Sequence, residues 1–511
     1  MTEAELKENM KNRLWRLNNL YYIINESGER VLFRCNYVQS MLYKSLWWLN
    51  IILKSRQHGI TTFVCIMMLD LILFNSNVKA GIIAHTMQAA QEIFRDKIKY
   101  TYSQLPEAIK AAVPFTKCDA CQLVLQNNSS VIIACSLRSG TYQWVHISEY
   151  GKICAKTPDR ATEIQSGTLE TVHKGGFVTI ESTAEGRAGD FYDRCKRAED
   201  LKIRNTVLGE MDYRFHFFAW YLDPKNTTHP NMVRIPDNLV EYFNKLESGL
   251  GITLDAGQRA WYTQKKLSLK TLIYREHPST PEEAFKASIE GSYYGTEMSI
   301  ARETGRICRV PHDKSAEVYT FWDIGHRHTA VWFAQFIKKE IRLIDYYQDN
   351  EGLGMAAYAL MIQRKPYRYG KHFAPWDMRG SNARSIQTGR DLIDVAKDSG
   401  LDFDVLAKDT VDSGIKVAID VLNQCWFDID LCDEGIKCLE MYRAEWNETL
   451  EDYERKPLAD KYAHGADAFR YLAMAYRYER IGDVILGYSG VNPTWRHQPT
   501  ADRGIEDLLS V

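Results

Sequence analysis

The sequence predicts an α/β protein made of two α/β units in succession, and three observations carry that expectation. Between about Trp47 and Trp220, apolar strand-like runs alternate with segments of helical period, the signature of a parallel sheet with crossover helices. Near the start of that region, an apolar strand passes through a basic, glycine-containing loop into an apolar helix, the context in which phosphates are bound. From Val318 a second pattern opens with three consecutive strand runs, the order of a meander.

In the first unit the expected strands are Leu49–Leu53, Gly81–His85, Val131–Ala134, Trp144–Ile147, Phe177–Ile180 and Phe215–Trp220, with a helix over Met87–Tyr100. Asn127 and Asn128, between a run ending at Leu125 and one beginning at Val131, predict an inserted antiparallel hairpin. Pro224, Pro230 and Pro236 then break the pattern, and helices are expected over Asp237–Lys245 and Ala256–Leu269. The second unit offers Tyr319–Asp323, Ala330–Ile337 and Glu340–Tyr347, with helices and further strands to about Arg477. The expected organisation is residues 1–222, a connecting subdomain over 223–314, a second domain over 315–480, and a mobile tail over 481–511 that has little apolar periodicity.

Composition narrows the class. The chain has 511 residues, 45% of them hydrophobic, which excludes collagen-like, disordered and small disulfide-scaffold proteins. With 64 Lys and Arg against 66 Asp and Glu, the net charge of -2 supplies no global basic field, so contact with nucleic acid must come from local patches. The charged start MTEAELKENMKNRLWRLNNL does not resemble a signal peptide. The apolar stretch Phe63–Phe74 is interrupted by Asp70 and is too short to span a bilayer, so no membrane partner is expected. Cys118 and Cys121 form a lone CxxC, and the other cysteines are scattered; all eleven are expected to be buried reduced thiols of a cytosolic protein.

Two constellations carry chemistry. In Lys54-Ser55-Arg56-Gln57-His58-Gly59-Ile60-Thr61-Thr62, the first Gly of GxxxxGK[ST] is Lys54 and the lysine position is Ile60, but Lys54 and Arg56 supply cations within the same loop. The strand Trp144–Ile147 ends in Ser148 and Glu149, where a Walker B strand carries a metal-holding Asp and a catalytic Glu, and Gly176–Ile180 ends in a hydroxyl cluster with Ser182 and Thr183. The second constellation consists of Asp323 at a strand end, Asp377 after the run Lys371–Phe373, and Asp467 on a late helix. Such separated acids can converge to clamp two Mg²⁺ ions for DNA cleavage. On that helix Tyr462, Ala466, Phe469 and Ala473 form a core stripe, and Asp460, His464 and Asp467 share an adjoining face. For each acid taken alone, a solvated or buried-network role is the ordinary reading.

Taken in order, Asn36-Tyr37-Val38-Gln39, KSRQHGITT at 54–62, HISEYGKI at 146–153, ESTAEGRAGDFY at 181–192, EHPSTPEEAF at 276–285 and ADAFRYLA at 466–473 form a set. This set resembles the large terminase subunits of tailed double-stranded DNA bacteriophages, the motors that package the genome, over nearly the whole chain. The resemblance implies an N-terminal P-loop NTPase-like (ASCE) parallel-sheet domain plus a C-terminal RNase H-like nuclease domain. It implies that Gln39 contacts the adenine and that Lys54, Ser55, Arg56, Gln57, His58, Gly59, Ile60, Thr61 and Thr62 form the nucleotide loop, with Thr61 reaching the metal. It makes Glu149 the catalytic carboxylate, Ser182 and Thr183 the coupling segment, and Asp323, Asp377 and Asp467 the nuclease ligands. Arg138, in LRSG, is a candidate arginine finger against a surface salt bridge.

Many relatives carry a further acid after the first. Here that stretch holds His326 and His328, with Asp345 and Asp409 as alternative carboxylates. Tyr367, Arg368, Lys371, Arg379, Arg384 and Arg390 would give sequence-independent phosphate contacts. Implied cofactors are ATP and Mg²⁺, or Mn²⁺ at the nuclease site. Implied partners are double-stranded DNA, a portal protein, a small terminase subunit and further copies of the chain on the portal, in the host cytoplasm rather than the mature virion. The rivals are a helicase or recombination nuclease, for which no helicase motifs follow Ala184, and an ATPase-deficient scaffold, for which Ile60 and Ser148 argue.

Overall fold

An eight-stranded sheet organises the first of the two units, Met1–Ala287 and Ser288–Val511, into which the chain divides in the computed structural model. The structure describes residues 3–138, 140–286, 290–325, 327–379, 390–447 and 452–478, so His326, Arg384 and the 481–511 tail lie outside the described residues. The strands are β1 (Leu49–Lys54), β2 (Lys79–Ile83), β3 (Phe115–Cys118), β4 (Gln122–Leu125), β5 (Ser130–Ala134), β6 (Tyr142–Ser148), β7 (Val172–Ser182) and β8 (Arg214–Phe218). Their spatial order is β8-β1-β7-β6-β2-β5-β4-β3.

The first six strands in that order run parallel, and the remaining two form the antiparallel edge. Leaving that edge aside, the strand carrying the basic loop and the strand ending in Glu149 are separated by one other strand, which is the ASCE arrangement of a P-loop NTPase. Ile51, Ile52 and Leu53 are wholly buried, as expected of a parallel strand covered on both faces.

The helices that position the site are α1 (Tyr37–Ser45), α2 (Ile60–Phe74) and α3 (Tyr150–Lys156). Helix α2 is apolar around most of its circumference because it is buried in the unit, not because it meets lipid. Its one acid, Asp70, is buried against the Arg16 guanidinium at 2.7 Å and the Tyr21 hydroxyl at 2.6 Å, which accounts for the charge that interrupts the apolar stretch. The expected Met87–Tyr100 helix forms in three pieces, with a π-helical segment at Phe94–Lys99. The asparagine hairpin forms with Asn128 at φ 61°, and it carries one more strand, β3, than its turn signal revealed.

Strand β8 stops at Phe218. Trp220 opens a 3-10 turn instead, donates to Ser279 Oγ at 2.9 Å and stacks on Trp261. With Phe243 and Tyr262 it forms the core beneath α4 (Asp237–Leu250) and α5 (Ala256–Leu269). The stretch 223–314 is thus divided, residues 223–286 falling in the first unit and 290–314 in the second.

The second unit is a seven-stranded sheet of β9 (Ile307–Cys308), β10 (Val318–Ile324), β11 (Thr329–Ile337), β12 (Glu340–Asp349), β13 (Tyr369–Ala374), β14 (Phe403–Val405) and β15 (Cys425–Asp428), in the order β9-β15-β12-β11-β10-β13-β14. Strands β10, β11 and β12 are the antiparallel meander, and β13 and β14 add in parallel beside β10, the RNase H-like arrangement. Helix α6 (Ala463–Tyr478) lays Ala466, Phe469 and Ala473, all wholly buried, on the sheet. The Trp332 indole of β11 donates to the Gly465 carbonyl at 2.8 Å. A Cβ at Gly465 would stand 2.4 Å from the Tyr346 hydroxyl, so the close approach of helix and sheet requires glycine there.

All eleven cysteines are unpaired, but only Cys65, Cys154, Cys195, Cys425, Cys432 and Cys438 are buried. Cys35, Cys118, Cys121, Cys135 and Cys308 are partly exposed, which corrects the expectation of uniformly buried thiols. Cys118 and Cys121 flank the tight β3–β4 turn, where Asp119 accepts the Cys121 amide at 2.8 Å. Among the described residues no helix is long and apolar enough to cross a membrane.

Candidate nucleotide and metal sites

The phosphate-type loop, residues 55–59, joins β1 to α2 and is tied down from three sides, the first being β8, whose Phe218 carbonyl accepts the Ser55 amide at 2.9 Å. Its backbone turns left-handed at Gln57 (φ 69°) and Gly59 (φ 68°). A Cβ at Gly59 would lie 2.8 Å from Gln39 Nε2, so only glycine combines that φ with so close a neighbour. From α1, Gln39 donates to the Gly59 carbonyl at 2.9 Å and accepts the Asn36 amide at 3.0 Å, while Asn36 Nδ2 donates to the His58 carbonyl at 3.1 Å. Gln39, expected at the adenine, is thus engaged at both ends of its amide as an anchor of the loop.

From the third side, Ser55 Oγ and the Arg56 amide donate to the Glu276 carbonyl at 3.1 and 3.0 Å, and the Arg56 guanidinium pairs with the Glu276 carboxylate. Ser55 Oγ also meets His277 Nδ1 at 3.2 Å. The EHPST segment, matched only as part of the ordered set, therefore latches the loop. Gln57 is exposed, whereas His58 is buried and burial pushes its imidazole down to about 4.

Ile60 is wholly buried in the core of the unit. The ammonium missing there is supplied from the loop's other end, because the buried Lys54 Nζ lies 3.1 Å from Glu181 and 3.4 Å from Glu149. Burial alone would lower the Lys54 ammonium, but the two carboxylates outweigh it and hold it well above its ordinary range. Burial works to raise Glu149, yet Lys54 and Lys152 outweigh it and hold the carboxyl below its ordinary value, so it stays ionised and able to accept a proton. Glu149 also sits in left-handed backbone at φ 55° and ψ 43°, a strained conformation at the junction of β6 and α3.

The sequence reading missed Glu181. Lying in the motif adjacent to Ser182 and Thr183, it is wholly buried, pairs with Lys54, accepts the Thr61 hydroxyl, and accepts the Ser148 hydroxyl at 2.9 Å. Nothing in β7 alone marks it; the signal is the absence of a carboxylate at 148 combined with the parallel register Ser148↔Glu181. Thr61 and Thr62, both half-buried, open α2, and Ser182 Oγ and Thr183 Oγ1 are buried without a hydrogen-bond partner. Hydroxyls left without partners at a strand end, beside a buried ammonium and two carboxylates, fit the phosphates and divalent cation of a nucleotide. Arg138 is exposed and pairs with Glu163 at 2.8 Å, the surface salt bridge weighed against its finger role.

In the second unit Asp323 ends β10 and Asp377 lies in a 3-10 turn just after β13, the parallel neighbour of β10, so both acids leave the same end of the sheet. From α6, His464 Nδ1 meets Asp323 Oδ2 at 2.9 Å, and Asp467 accepts from Tyr442 Oη at 3.1 Å and from Arg470 at 3.1 and 3.2 Å. Burial, reinforced by the Asp467 charge against the pull of His464, holds the Asp323 carboxyl above its ordinary value. The bond to Asp323 raises His464 in turn. All three acids act on one neighbour: burial first, then Asp323, and more weakly Asp467 and Asp377, push the Tyr471 hydroxyl up.

His328 stacks on His464 with ring centres 4.7 Å apart. Asp460 pairs with Arg443 at 3.1 Å, Asp345 is held by Lys365 and by Tyr367 at 2.9 Å, and Asp409 accepts the Ser413 hydroxyl at 2.8 Å at the start of a helix, so these carboxylates are committed elsewhere. Among the described residues no three His, Cys, Asp or Glu side chains are gathered closely enough to hold one ion. The hard oxygens of Asp323, Asp377 and Asp467 still suit Mg²⁺ or Mn²⁺, which complete their shells with water and phosphate oxygens. Of the basic cluster, Lys371 pairs with Asp404 and Arg390 with Asp398, each at 2.8 Å, and Arg368 donates to the Ser315 carbonyl at 2.9 Å.

The described residues thus define an α/β chain with an NTPase-type loop site on one sheet and an acidic site on another. No family model and no curated protein matches it. Solved structures similar to it are large terminases of bacteriophages. The large terminase of a thermophilic bacteriophage, in complex with ADP, is 15% identical, with 86% of this chain and 98% of that chain covered at a TM-score of 0.29. That of bacteriophage HK97 is 12% identical, with 93% and 99% covered at 0.41. The large terminase nuclease of the thermophilic phage G20c with bound cobalt is 11% identical, with 37% and 98% covered at 0.26.

Proposed function

We propose that the chain is a DNA-packaging motor of the large terminase kind, in which the first unit hydrolyses ATP to translocate double-stranded DNA into a procapsid and the second cuts the concatemeric genome. The observation that carries the reading is the Lys54 ammonium, buried at the mouth of the phosphate-type loop between Glu149 and Glu181. It restores the cation that Ile60 removes, which argues against a scaffold without ATPase activity. Lys54 and the loop amides would bind the phosphates, Thr61 would face the cation, and Glu149 would orient the attacking water and take its proton.

In the second unit Asp323, Asp377 and Asp467 would hold the divalent ions, Mg²⁺ or Mn²⁺, which when bound stabilise the attacking and leaving oxygens. His464 would orient Asp323. The ordered motifs of the sequence support a portal protein, a small terminase subunit and further copies of the chain as partners, in the host cytoplasm rather than the mature virion. The ADP-bound terminase was also solved with ATP-gamma-S, and the G20c nuclease with cobalt, ligands of the same two classes. The decisive experiment is ATP hydrolysis by the full chain with and without DNA: a basal rate stimulated by DNA supports the motor, and no hydrolysis in either condition refutes it.

A further inference from the structure

We infer that the carboxylate facing the cation of bound ATP has moved one strand over, from the end of β6 to Glu181 of β7, an assignment that rests on the nucleotide-site reading above. In P-loop sites the hydroxyl opening the first helix and an acid at the end of the Walker B strand together hold Mg²⁺. Thr61 occupies the hydroxyl position, but the acid position is Ser148, which carries no charge to oppose a divalent ion.

The parallel register sets Glu181 directly beside Ser148. Both hydroxyls point at it, since Thr61 Oγ1 donates to Glu181 Oε1 and Ser148 Oγ donates to the same oxygen at 2.9 Å. The hydrogen bond that normally joins the helix hydroxyl to the strand acid is therefore present, with the acid on the neighbouring strand.

The charge balance points the same way. Glu181 is wholly buried, and its Oε2 takes no hydrogen bond, facing Lys54 Nζ at 3.1 Å. That ammonium is shared with Glu149, which has Lys152 at 3.7 Å as a second cation. His146 Nε2 lies 3.8 Å from Glu181 and takes no hydrogen bond. Triphosphate arriving at the loop would compete for Lys54, leaving a desolvated carboxylate in need of a counter-ion. A divalent cation between Glu181, Thr61 and the phosphates meets that need.

The test measures affinity of the full-length protein for a fluorescent ATP analogue, once in EDTA and once in Mg²⁺. Wild type should bind more tightly in Mg²⁺ by about tenfold or more, and Glu181→Gln should lose that increment. The double variant Ser148→Asp with Glu181→Ser, which returns the acid to β6, should recover it. A Glu181→Gln protein that retains the increment, or that loses metal-free and metal-dependent binding in equal proportion as a merely structural residue would, overturns the assignment while leaving the nucleotide site intact. Should Glu181→Gln not fold, the double variant decides alone: a folded protein without Mg²⁺ dependence overturns the assignment. Wild type binding no nucleotide in either buffer overturns the assignment together with the site on which it rests.

Discussion

Glu149 is held in a backbone conformation that a non-glycine residue adopts only under constraint, with its carboxylate ionised by Lys54 and Lys152. Glu149→Gln keeps the shape and removes the proton acceptor, so ATP hydrolysis in a coupled assay should fall by about 10²-fold or more while plasmid cutting persists. Ile60 permits the opposite kind of test. Restoring the consensus with Ile60→Lys would place an ammonium among Phe63, Val64 and Ile82 in the core. It should destabilise the fold by about 3–5 kcal/mol in a denaturant titration, as an uncompensated buried charge does, and should not raise the ATPase rate. Asp323→Ala should abolish Mg²⁺- or Mn²⁺-dependent cutting of plasmid DNA with ATP hydrolysis unchanged; cutting that survives removes Asp323 from the metal site.

At the scale of elements, the loop and its latch share a dependence on pH. Burial drives both His58 and His277 down to about 4 from an ordinary 6.5. His58 faces Asp223, which raises it, and Lys54, which lowers it, whereas His277 faces Lys265, Arg56 and His58, which all lower it. Between the two values the unfolded chain binds protons that the folded chain refuses, so folding stability is retained above about pH 7 and lost as pH falls toward 4. The loss is on the order of 3 kcal/mol per imidazole, and the unfolding midpoint measured from about pH 7 to 5 should flatten in a His58→Gln, His277→Gln variant.

These histidines also show what the sequence could convey. β1, β6, β7 and the meander were legible because continuous or alternating apolar runs encode burial locally. So were Glu149 and Asp323, because a carboxylate at a strand end breaks such a run. Glu181 was not, since it reads as one polar residue inside a strand and acquires its role from the register with Ser148. The Glu276 and His277 latch was matched as a motif, but its contact with a loop more than 200 residues away has no local signal. Gln39 was found as a candidate base contact, but its anchoring of the loop was not, because a capping box and a base contact ask for the same amide.

At the scale of the whole molecule, the near-zero net charge comes from 64 basic residues matched by 66 acidic ones, and several of the bases are paired within local clusters. Lys365, Lys371 and Arg390 each face an acid, so under the proposed function DNA phosphates compete with those carboxylates, and the affinity for DNA should fall with added salt. The same locality extends to stability. The first unit has its own apolar clusters, around Phe63 and Ile82 and around Val145 and Phe191, and the second has one around Trp322 and Phe333. Units with separate cores should unfold in separable calorimetric transitions. ATP with Mg²⁺ at about 100 times its Kd should stabilise the unit carrying the loop by about 2.7 kcal/mol and move only that transition. Mn²⁺ without nucleotide should move the other, and Asp323→Ala should cancel that second shift without touching the first. A single transition that responds to both ligands would mean instead that the two units unfold as one, and the independence expected of Glu149→Gln and Asp323→Ala would lose its thermodynamic basis.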